Sequence, residues 1–295
     1  MLNLVLSGGG VKGAAHIGAI KALEENNIEI SGISGTSSGS IVAALYACGY
    51  KAEEIYYIFK RYCKYIADYD HMIPFKVLNT LFTGRIKLKS LAHGNNIEYL
   101  VDNFARCKGK VFLSDVKIPL VIPAVNIIDG RIIYFNNREN NRLLDTTKFE
   151  DEPLYLSNVK ICDAVRASTA YPGIFYPKKV NNFYLVDGGV RVNSPVSALK
   201  KINKEAKTFT IYFEKIDNNR LPNNIIETTI KSFDIMAHEI NQKEIEKSDY
   251  RIDIESRNVG LLDISKIDYM VNLGYIRCKD LIKENDLQKL VKKSL

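Results

Sequence analysis

The sequence predicts an α/β fold with a mainly parallel central sheet, because strand and helix patterns alternate from its first residues. The apolar run Leu2–Leu6 indicates a buried strand, and apolar residues then recur at helical spacing from Val11 to about Asn26. A second short strand is predicted at Ile28–Ser34, and a second helix ends near Gly49. Strands and helices in this order form a parallel sheet covered by helices.

The next segment, Lys51–Asn103, has mostly helical spacing and is rich in tyrosine and phenylalanine. Up to about Tyr65 we expect these rings to face the core. Over Tyr69–Phe82 the pattern is interrupted by His71 and Pro74, and there we expect an amphipathic lid or a membrane contact. A helical layer whose rings all face the core is the alternative.

The middle of the chain predicts a β-hairpin. Strands at Pro119–Ile128 and Arg131–Asn136 meet at Asp129-Gly130, a strong turn signal, and a polar surface loop is expected at Asn137–Ser157. Predicted helices and strands then alternate to the end of the chain. The predicted elements are helix Lys160–Ser168, strand Phe183–Val186, helix Pro195–Ile202, strand Thr208–Phe213, helix Ile225–Lys247, strand Tyr250–Ile254 and helix Ser265–Glu284.

Length and composition fit one globular unit. The chain has 295 residues, of which 46% are hydrophobic and 25% charged, so a sizeable core is expected and disorder is not. No internal repeat or dividing linker is evident. We predict a single domain over residues 1–295, with an aromatic-rich helical insert at 51–103 and a C-terminal helical extension at 225–295.

The charge and the apolar patterns of the sequence limit which binding partners and which cellular location are expected. The net charge of +7 forms no long basic block, which argues against nucleic-acid binding and suits either an anionic membrane surface or a merely basic protein. No apolar run is long enough for a transmembrane helix, and the N-terminus lacks the basic region of a signal peptide. We therefore expect a cytoplasmic protein with transient, peripheral membrane contact.

The five cysteines include no C-x-x-C pair, and neither cysteine nor histidine clusters at zinc spacing. Free thiols, no metal and no cofactor are expected.

A serine stands at the centre of Gly35-Thr36-Ser37-Ser38-Gly39, which fits the pattern G-x-S-x-G. A predicted strand precedes this pentapeptide and a predicted helix follows it. In that context the glycines permit a sharp turn that exposes the serine hydroxyl above the sheet. A glycine-rich turn without chemistry is the alternative, and the context favours a nucleophile.

A second glycine loop, Gly8-Gly9-Gly10-Val11-Lys12-Gly13, follows the first strand and also fits the dinucleotide pattern G-x-G-x-x-G. That pattern needs an acidic residue after the second strand, where this chain has Ser34-Gly35-Thr36. The loop amides suit an oxyanion hole instead. Both glycine loops should meet at one edge of the sheet, where ligands bind in such folds.

The serine needs a base, and two kinds of candidate exist. Asp187 ends a predicted strand and precedes Gly188-Gly189, which would leave its carboxylate uncovered. The histidines are the other kind, and no motif surrounds any of them; they are His16, His71, His93 and His238.

Three blocks, in this order along the chain, resemble patatin-like phospholipases. They are Gly8-Gly9-Gly10-Val11-Lys12-Gly13 for the family's G-G-G-x-[RK]-G, Gly35-Thr36-Ser37-Ser38-Gly39 for G-x-S-x-G, and Asp187-Gly188-Gly189 for D-G-[GA]. The resemblance implies a three-layer α/β/α fold and a lipid acyl hydrolase without metal or cofactor.

By the same resemblance, Ser37 is the nucleophile and Asp187 the base of a Ser–Asp dyad. The amides of the run Gly8-Gly9-Gly10-Val11 would form the oxyanion hole. Lys12 stands where many members carry arginine, and its charge would favour a phosphate or carboxylate near the site.

Two other enzymes and one binding module remain as alternatives. An α/β-hydrolase esterase would use Ser37, Asp187 and His238 as a triad, but too few strands precede its serine. An acyltransferase would use the same acyl-serine with an acceptor other than water. A nucleotide-binding module would use the glycine loop without catalysis.

Overall fold

A computed structural model of the chain describes residues 1–66, 90–138, 152–213, 221–223, 225–256 and 259–284. Its strands are β1 (Leu2–Leu6), β2 (Ile30–Gly35), β3 (Leu120–Asn126), β4 (Ile132–Asn136), β5 (Leu154–Leu156), β6 (Lys178–Val180), β7 (Phe183–Asp187), β8 (Lys207–Tyr212) and β9 (Tyr250–Asp253). Its α-helices are α1 (Ala14–Glu25), α2 (Ser38–Ala47), α3 (Ala52–Tyr62), α4 (Asn95–Cys107), α5 (Ile161–Ser168), α6 (Val196–Ile202), α7 (Ile225–Ile245) and α8 (Ile267–Glu284).

Within these ranges the strands form one sheet, in the order β5-β4-β3-β2-β1-β8-β9, and β7 joins it beside β3. The central pairs β3-β2, β2-β1, β1-β8 and β8-β9 are parallel. The hairpin β3-β4 is antiparallel, as Asp129-Gly130 predicts. The mainly parallel sheet expected from the sequence is confirmed.

Apolar side chains on both faces of the sheet create three layers. Every residue of β1 is buried, as expected of a strand covered on both sides. Leu4 and Leu6 face the larger core, which includes α1, α2, α3 and α8. Val5 faces a smaller core that includes α6. The three-layer α/β/α architecture is therefore confirmed.

The pairing of β3 brings two distant parts of the chain together. Its first half lies beside β2, with Ser34 opposite Val121. Its second half lies beside β7, which runs the other way, with Asp187 opposite Ala124. Ser34, near the end of β2, and Asp187, at the end of β7, are therefore three positions apart along β3, about 10 Å at the rise of a strand.

The structure corrects the sequence interpretation at two short strands. The expected loop Asn137–Ser157 contains β5, which pairs with β4 and packs the ring of Tyr155 5.2 Å from that of Tyr134. The strand β6 was not predicted either. Three-residue strands carry too little alternation to be recognised, and cross-strand contacts define them.

Some predictions concern residues that the structure does not describe. The aromatic segment Tyr69–Phe82 lies outside the described residues. The helical character of the flanking segments is confirmed by α3 and α4. The single domain stays a prediction. No helix in the described ranges combines the length and apolarity needed to cross a bilayer.

Candidate active site

Ser37 occupies the sharp turn between β2 and α2. Its backbone has φ 52° and ψ −125°, in the region that non-glycine residues rarely adopt. The backbone segments around this turn lie close together. A Cβ atom on Gly39 would lie against the carbonyl oxygen of Leu6, and a Cβ atom on Gly35 would lie against the carbonyl oxygen of Gly39. Such strain persists where the surroundings enforce it, and it is concentrated at functional sites.

Hydrogen bonds from outside the turn hold Ser37 in place. Its amide N–H donates to the hydroxyl of Ser168, at the end of α5, at 3.1 Å. The preceding Thr36 hydroxyl donates to the carbonyl of Val192 at 3.0 Å. These contacts leave the Ser37 side chain partly exposed while its neighbours Thr36 and Ser38 are buried.

Asp187 ends β7 and is 2% exposed. Its Oδ1 accepts the amide N–H of Gly189 at 2.7 Å. Burial raises the pKa of this carboxyl to about 7, against smaller lowering effects of the Gly189 amide and the Ser37 hydroxyl. Oδ2 has no hydrogen-bond partner of normal geometry among the described residues. The Ser37 hydroxyl is thus close enough to affect Asp187 without a formed hydrogen bond.

The glycine loop lies directly against Ser37, as predicted. A Cβ on Gly8 would stand 3.0 Å from Cβ of Ser37. Gly10 has φ +59°, and a Cβ there would overlap the backbone and side chain of Leu261. The loop continues through Lys12 and Gly13 into α1. The predicted meeting of both glycine loops at one sheet edge is confirmed.

The amides of the predicted oxyanion hole, which stays a prediction, are not equivalent in their hydrogen bonds. The Gly8 N–H donates to Oδ1 of Asn193 at 2.9 Å, and the Val11 N–H donates to the Leu261 carbonyl at 2.9 Å. Both are already occupied in this structure. The amides of Gly9 and Gly10 make no hydrogen bond within the described ranges. These two are the donors left for an oxyanion.

His16 lies behind the site as a buried residue of α1. Its Nε2 is 2.8 Å from the Ser7 carbonyl and therefore carries the proton. Burial lowers its pKa to about 4, and its ring packs 5.2 Å from that of Phe213. His16 supports the start of the glycine loop and does not line the cavity that contains Ser37.

The other histidines are not placed as bases either. His238, on α7, lies 3.3 Å from the amide nitrogen of Gln242, and it does not line the cavity. His93 is exposed before α4. His71 lies outside the described residues.

A cavity of about 200 Å³ opens at this edge of the sheet. Its polar side is formed by the glycine loop at Gly8–Gly10 and by Ser37, Asp187 and Asn193. Its apolar side is formed by residues from four segments: Tyr171, Pro172, Val190, Met236, Ala237, Ile240 and Leu261. Gly189 also lines it, while Gly188 is buried beneath.

The sequence interpretation missed Ser168, Asn193 and the α7 residues. Ser168 and Asn193 are polar residues near recognised motifs, yet nothing in the sequence indicates which backbone group each one bonds. Met236 and Ile240 are ordinary helix residues by pattern. Their place at the cavity follows from tertiary packing alone.

One group in the described ranges has the composition of a metal site, and a lysine occupies it. Ligand atoms of Glu98, Cys162 and Asp163 lie within 4.8 Å of one another. The Lys178 ammonium is 2.6 Å from Glu98 and 2.8 Å from Asp163, so the group is an ion-pair cluster. None of these residues lines the cavity. All five cysteines are free thiols, as predicted.

Comparisons with known proteins agree with this geometry. The sequence profile described as patatin-like phospholipase matches residues 4–200. The chain is 30% identical over 207 residues to the uncharacterized protein YqhO of Bacillus subtilis, covering 68% of this chain and 67% of that protein. It is 32% identical over 200 residues to lysophospholipase NTE1 of Candida albicans, covering 68% of this chain and 12% of that protein.

Among solved structures, VipD from Legionella pneumophila has a similar fold. The TM-score is 0.50 at 14% sequence identity, over 96% of this chain and 66% of that one. This likeness concerns the fold. The relatives extend well beyond the matched segment, most of all NTE1.

Proposed function

Because the chain belongs to the patatin-like phospholipase family, we propose that it is a serine lipid acyl hydrolase that cleaves fatty-acyl esters of phospholipids or lysophospholipids. One observation carries the proposal. The strained Ser37 faces a buried carboxyl whose pKa lies near neutrality, in a cavity with two unoccupied backbone amides. The Candida albicans relative is named a lysophospholipase, which favours the same substrate class.

Proton transfer from Ser37 to Asp187 begins the reaction. An ordinary aspartate is a weak base, with a pKa of about 3.9. Burial raises the pKa of Asp187 to about 7, which places it near the pH where a general base works best. Its unpartnered Oδ2 is the atom that takes the proton. The loose contact in the free protein tightens when substrate binds.

Attack by the Ser37 oxygen on the ester carbonyl gives a tetrahedral intermediate with a negative oxygen. The amides of Gly9 and Gly10 donate to that oxygen, and such donors contribute about 2.7–4 kcal/mol each. Collapse of the intermediate breaks the ester C–O bond. Asp187 returns its proton to the departing alcohol, leaving an acyl group on Ser37.

Water then completes the cycle by the reverse use of the same groups. Asp187 takes a proton from water, whose oxygen attacks the acyl carbonyl. The Ser37 oxygen leaves with that proton, and the fatty acid is released. An acyltransferase would differ only in replacing this water with an alcohol.

A dyad accounts for the site better than the triad alternative. The Oδ1 atom of Asp187 accepts a backbone N–H from Gly189, and no histidine lines the cavity within the described ranges. A triad would place an imidazole between the aspartate and the serine. Here the serine itself is the neighbour that affects the Asp187 pKa.

The test is a lipid panel with a covalent probe. Wild type and Ser37→Ala are assayed on phosphatidylcholine, lysophosphatidylcholine and triglyceride, and labelled with an alkyl fluorophosphonate. We expect phospholipid or lysophospholipid hydrolysis and labelling in wild type, with both lost in Ser37→Ala and retained in Ser31→Ala, a control on β2. Release of acyl product onto added glycerol in preference to water would favour the acyltransferase. Full labelling of Ser37→Ala would refute the assigned nucleophile.

A further inference from the structure

Helix α7 forms one wall of the cavity and leaves apolar side chains half-exposed there. Met236 and Ile240, one turn apart on the helix, both line the cavity. They are nevertheless 52% and 48% exposed. Each side chain therefore has one side toward the reaction centre and another toward solvent.

A second segment adds apolar side chains at the cavity. Leu261 lines the cavity beside the α7 residues, and the next residue, Leu262, is 46% exposed. We call Met236, Ile240, Leu261 and Leu262 the mouth rim. Contiguous exposed apolar surface at a cleft is a mark of ligand or membrane contact.

The cavity is too small to enclose a fatty-acyl chain. Its volume is about 200 Å³. An apolar cavity of about 150 Å³ holds one benzene molecule. Only the few carbons nearest the ester fit beside Ser37, so the remaining chain extends out of the cavity mouth, where the mouth rim lies.

Helix α7 is anchored one turn beyond Ile240, on the side away from Met236. At its C-terminal end Glu244 accepts hydrogen bonds from the amide and hydroxyl of Ser197 on α6, both at 2.8 Å. Charges along the exposed part are mixed, with Glu239 and Lys243 both exposed. Apolar side chains are therefore what this part of α7 offers, and insertion is the mode of contact that they support.

We propose that the mouth rim is the surface by which the protein contacts a phospholipid bilayer. Contact there lets an ester reach Ser37 while the distal part of its acyl chain stays among lipid. The inference rests on the proposed function for its substrate, and it places membrane contact on α7 and the 261–262 segment. The rim offers flexible aliphatic side chains and no tryptophan, tyrosine or arginine, the residues that anchor protein partners.

The test separates vesicle contact from chemistry. The double variant Met236→Gln/Leu262→Gln is compared with Ile128→Gln/Ile276→Gln, a control whose residues are exposed and do not line the cavity. Binding to dioleoylphosphatidylcholine vesicles is measured by flotation in a Ser37→Ala background. Hydrolysis is measured on those vesicles and on soluble p-nitrophenyl butyrate in the active background.

We expect vesicle binding of the rim variant to fall about threefold to tenfold per residue, the effect of losing partial burial of a large aliphatic side chain. The ratio of vesicle to soluble-ester hydrolysis should fall with it, and added salt should change neither. The control should match the wild type. Unchanged vesicle binding, or a fall in binding that salt abolishes, would overturn the proposal, as would rim variants that only shift a dimer to monomer.

If the proposed hydrolase function is wrong, these experiments give a different result. A wild type that hydrolyses neither substrate would refute the hydrolase. The flotation result in the Ser37→Ala background would still decide whether the rim contacts lipid.

Discussion

The Gly8 amide donates a hydrogen bond to Oδ1 of Asn193 at 2.9 Å, and this bond joins the two loops that form the site. Gly8 begins the first glycine loop, and Asn193 follows the turn after Asp187. Nδ2 of Asn193 also lies 3.4 Å from the Gly8 carbonyl, so one side chain contacts both polar groups of Gly8. Asn193 thereby fixes the proposed oxyanion donors relative to Asp187, the proposed base.

Asn193→Ala should therefore lower kcat about tenfold to a hundredfold and change KM little, because misplaced groups slow chemistry more than binding. Steady-state kinetics on a soluble ester measures this split. The matched control is Asn203→Ala, which removes side-chain hydrogen bonds to Asn3 and Ser31 away from the cavity. Equal losses of kcat in both variants would show that Asn193 acts only through stability.

Much of this site could be predicted from the sequence, because its residues are concentrated in contiguous motifs. Ser37 and the glycine loop each follow a strand, and parallel topology brings those two strand ends together. Asp187 ends β7, which runs antiparallel to β3 and reaches the site from the opposite direction. Asn193 and Ser168 could not be assigned, since their roles depend on side chains reaching backbone groups far away in sequence. The occupied amides of Gly8 and Val11 were invisible for the same reason.

In the fold, too, local sequence patterns predict some elements, whereas others depend on contacts between distant residues. Long elements such as β1 and α1 follow from apolar periodicity within one window of sequence. The strand β5 depends on β4 and on the contact between Tyr134 and Tyr155, which no local pattern encodes. The apolar wall on α7 likewise arises from where the helix docks.

The rate should depend on the ionisation of Asp187. Its pKa is raised to about 7 by burial, and only the carboxylate form accepts the Ser37 proton. kcat/KM should therefore fall as the pH drops below about 7, approaching a slope of about one log unit per pH unit. A pH series with a soluble ester tests this. A rate that stays constant down to pH 5 would exclude Asp187 as a base with that pKa.

Asp187→Asn should abolish hydrolysis and yet stabilise the protein at neutral pH. A carboxyl whose pKa is higher in the folded than in the unfolded state gives stability that is present below the unfolded pKa and lost as the pH rises through the folded pKa. For Asp187 that loss spans pH values from about 4 to 7. Asparagine does not ionise, so the variant keeps this stability as the pH rises. Its free energy of unfolding relative to that of the wild type should therefore increase by on the order of a few kcal/mol from pH 4 to above pH 7.

Urea unfolding of both proteins at pH 4 and pH 8 measures that difference. Ser37→Ala is the control, because it lacks activity while keeping the buried carboxyl. An Asp187→Asn variant that is less stable than wild type by the same amount at both pH values would contradict the raised pKa.

Gly10→Ala should damage the site more than an equally strained substitution elsewhere. Gly10 has φ +59°, and its new Cβ would overlap Leu261, moving a loop that carries an oxyanion donor. Gly109 has φ +69° and no heavy atom within 4 Å of such a Cβ. Both variants bear the left-handed penalty of about 1–2 kcal/mol. Only Gly10→Ala should lose about a hundredfold or more in kcat, as for a removed oxyanion donor. Matching kcat values would show that the loop tolerates displacement.

The histidines should prove dispensable as bases. His238→Ala removes a side chain that does not line the cavity, and it should keep kcat and the pH profile of wild type. His16 is different, because its Nε2–H holds the Ser7 carbonyl from a buried position.

His16→Gln offers an amide N–H for that carbonyl and should keep most of the activity, whereas His16→Ala should lose about 1–3 kcal/mol of stability from the unsatisfied carbonyl, and more from the cavity it leaves. Melting curves and kcat/KM–pH profiles of His238→Ala, His16→Gln and His16→Ala distinguish a structural role from a catalytic one. A glutamine variant that folds with the wild-type melting temperature but has lost hydrolysis would make His16 a participant in proton transfer and replace the Ser37–Asp187 dyad with a triad.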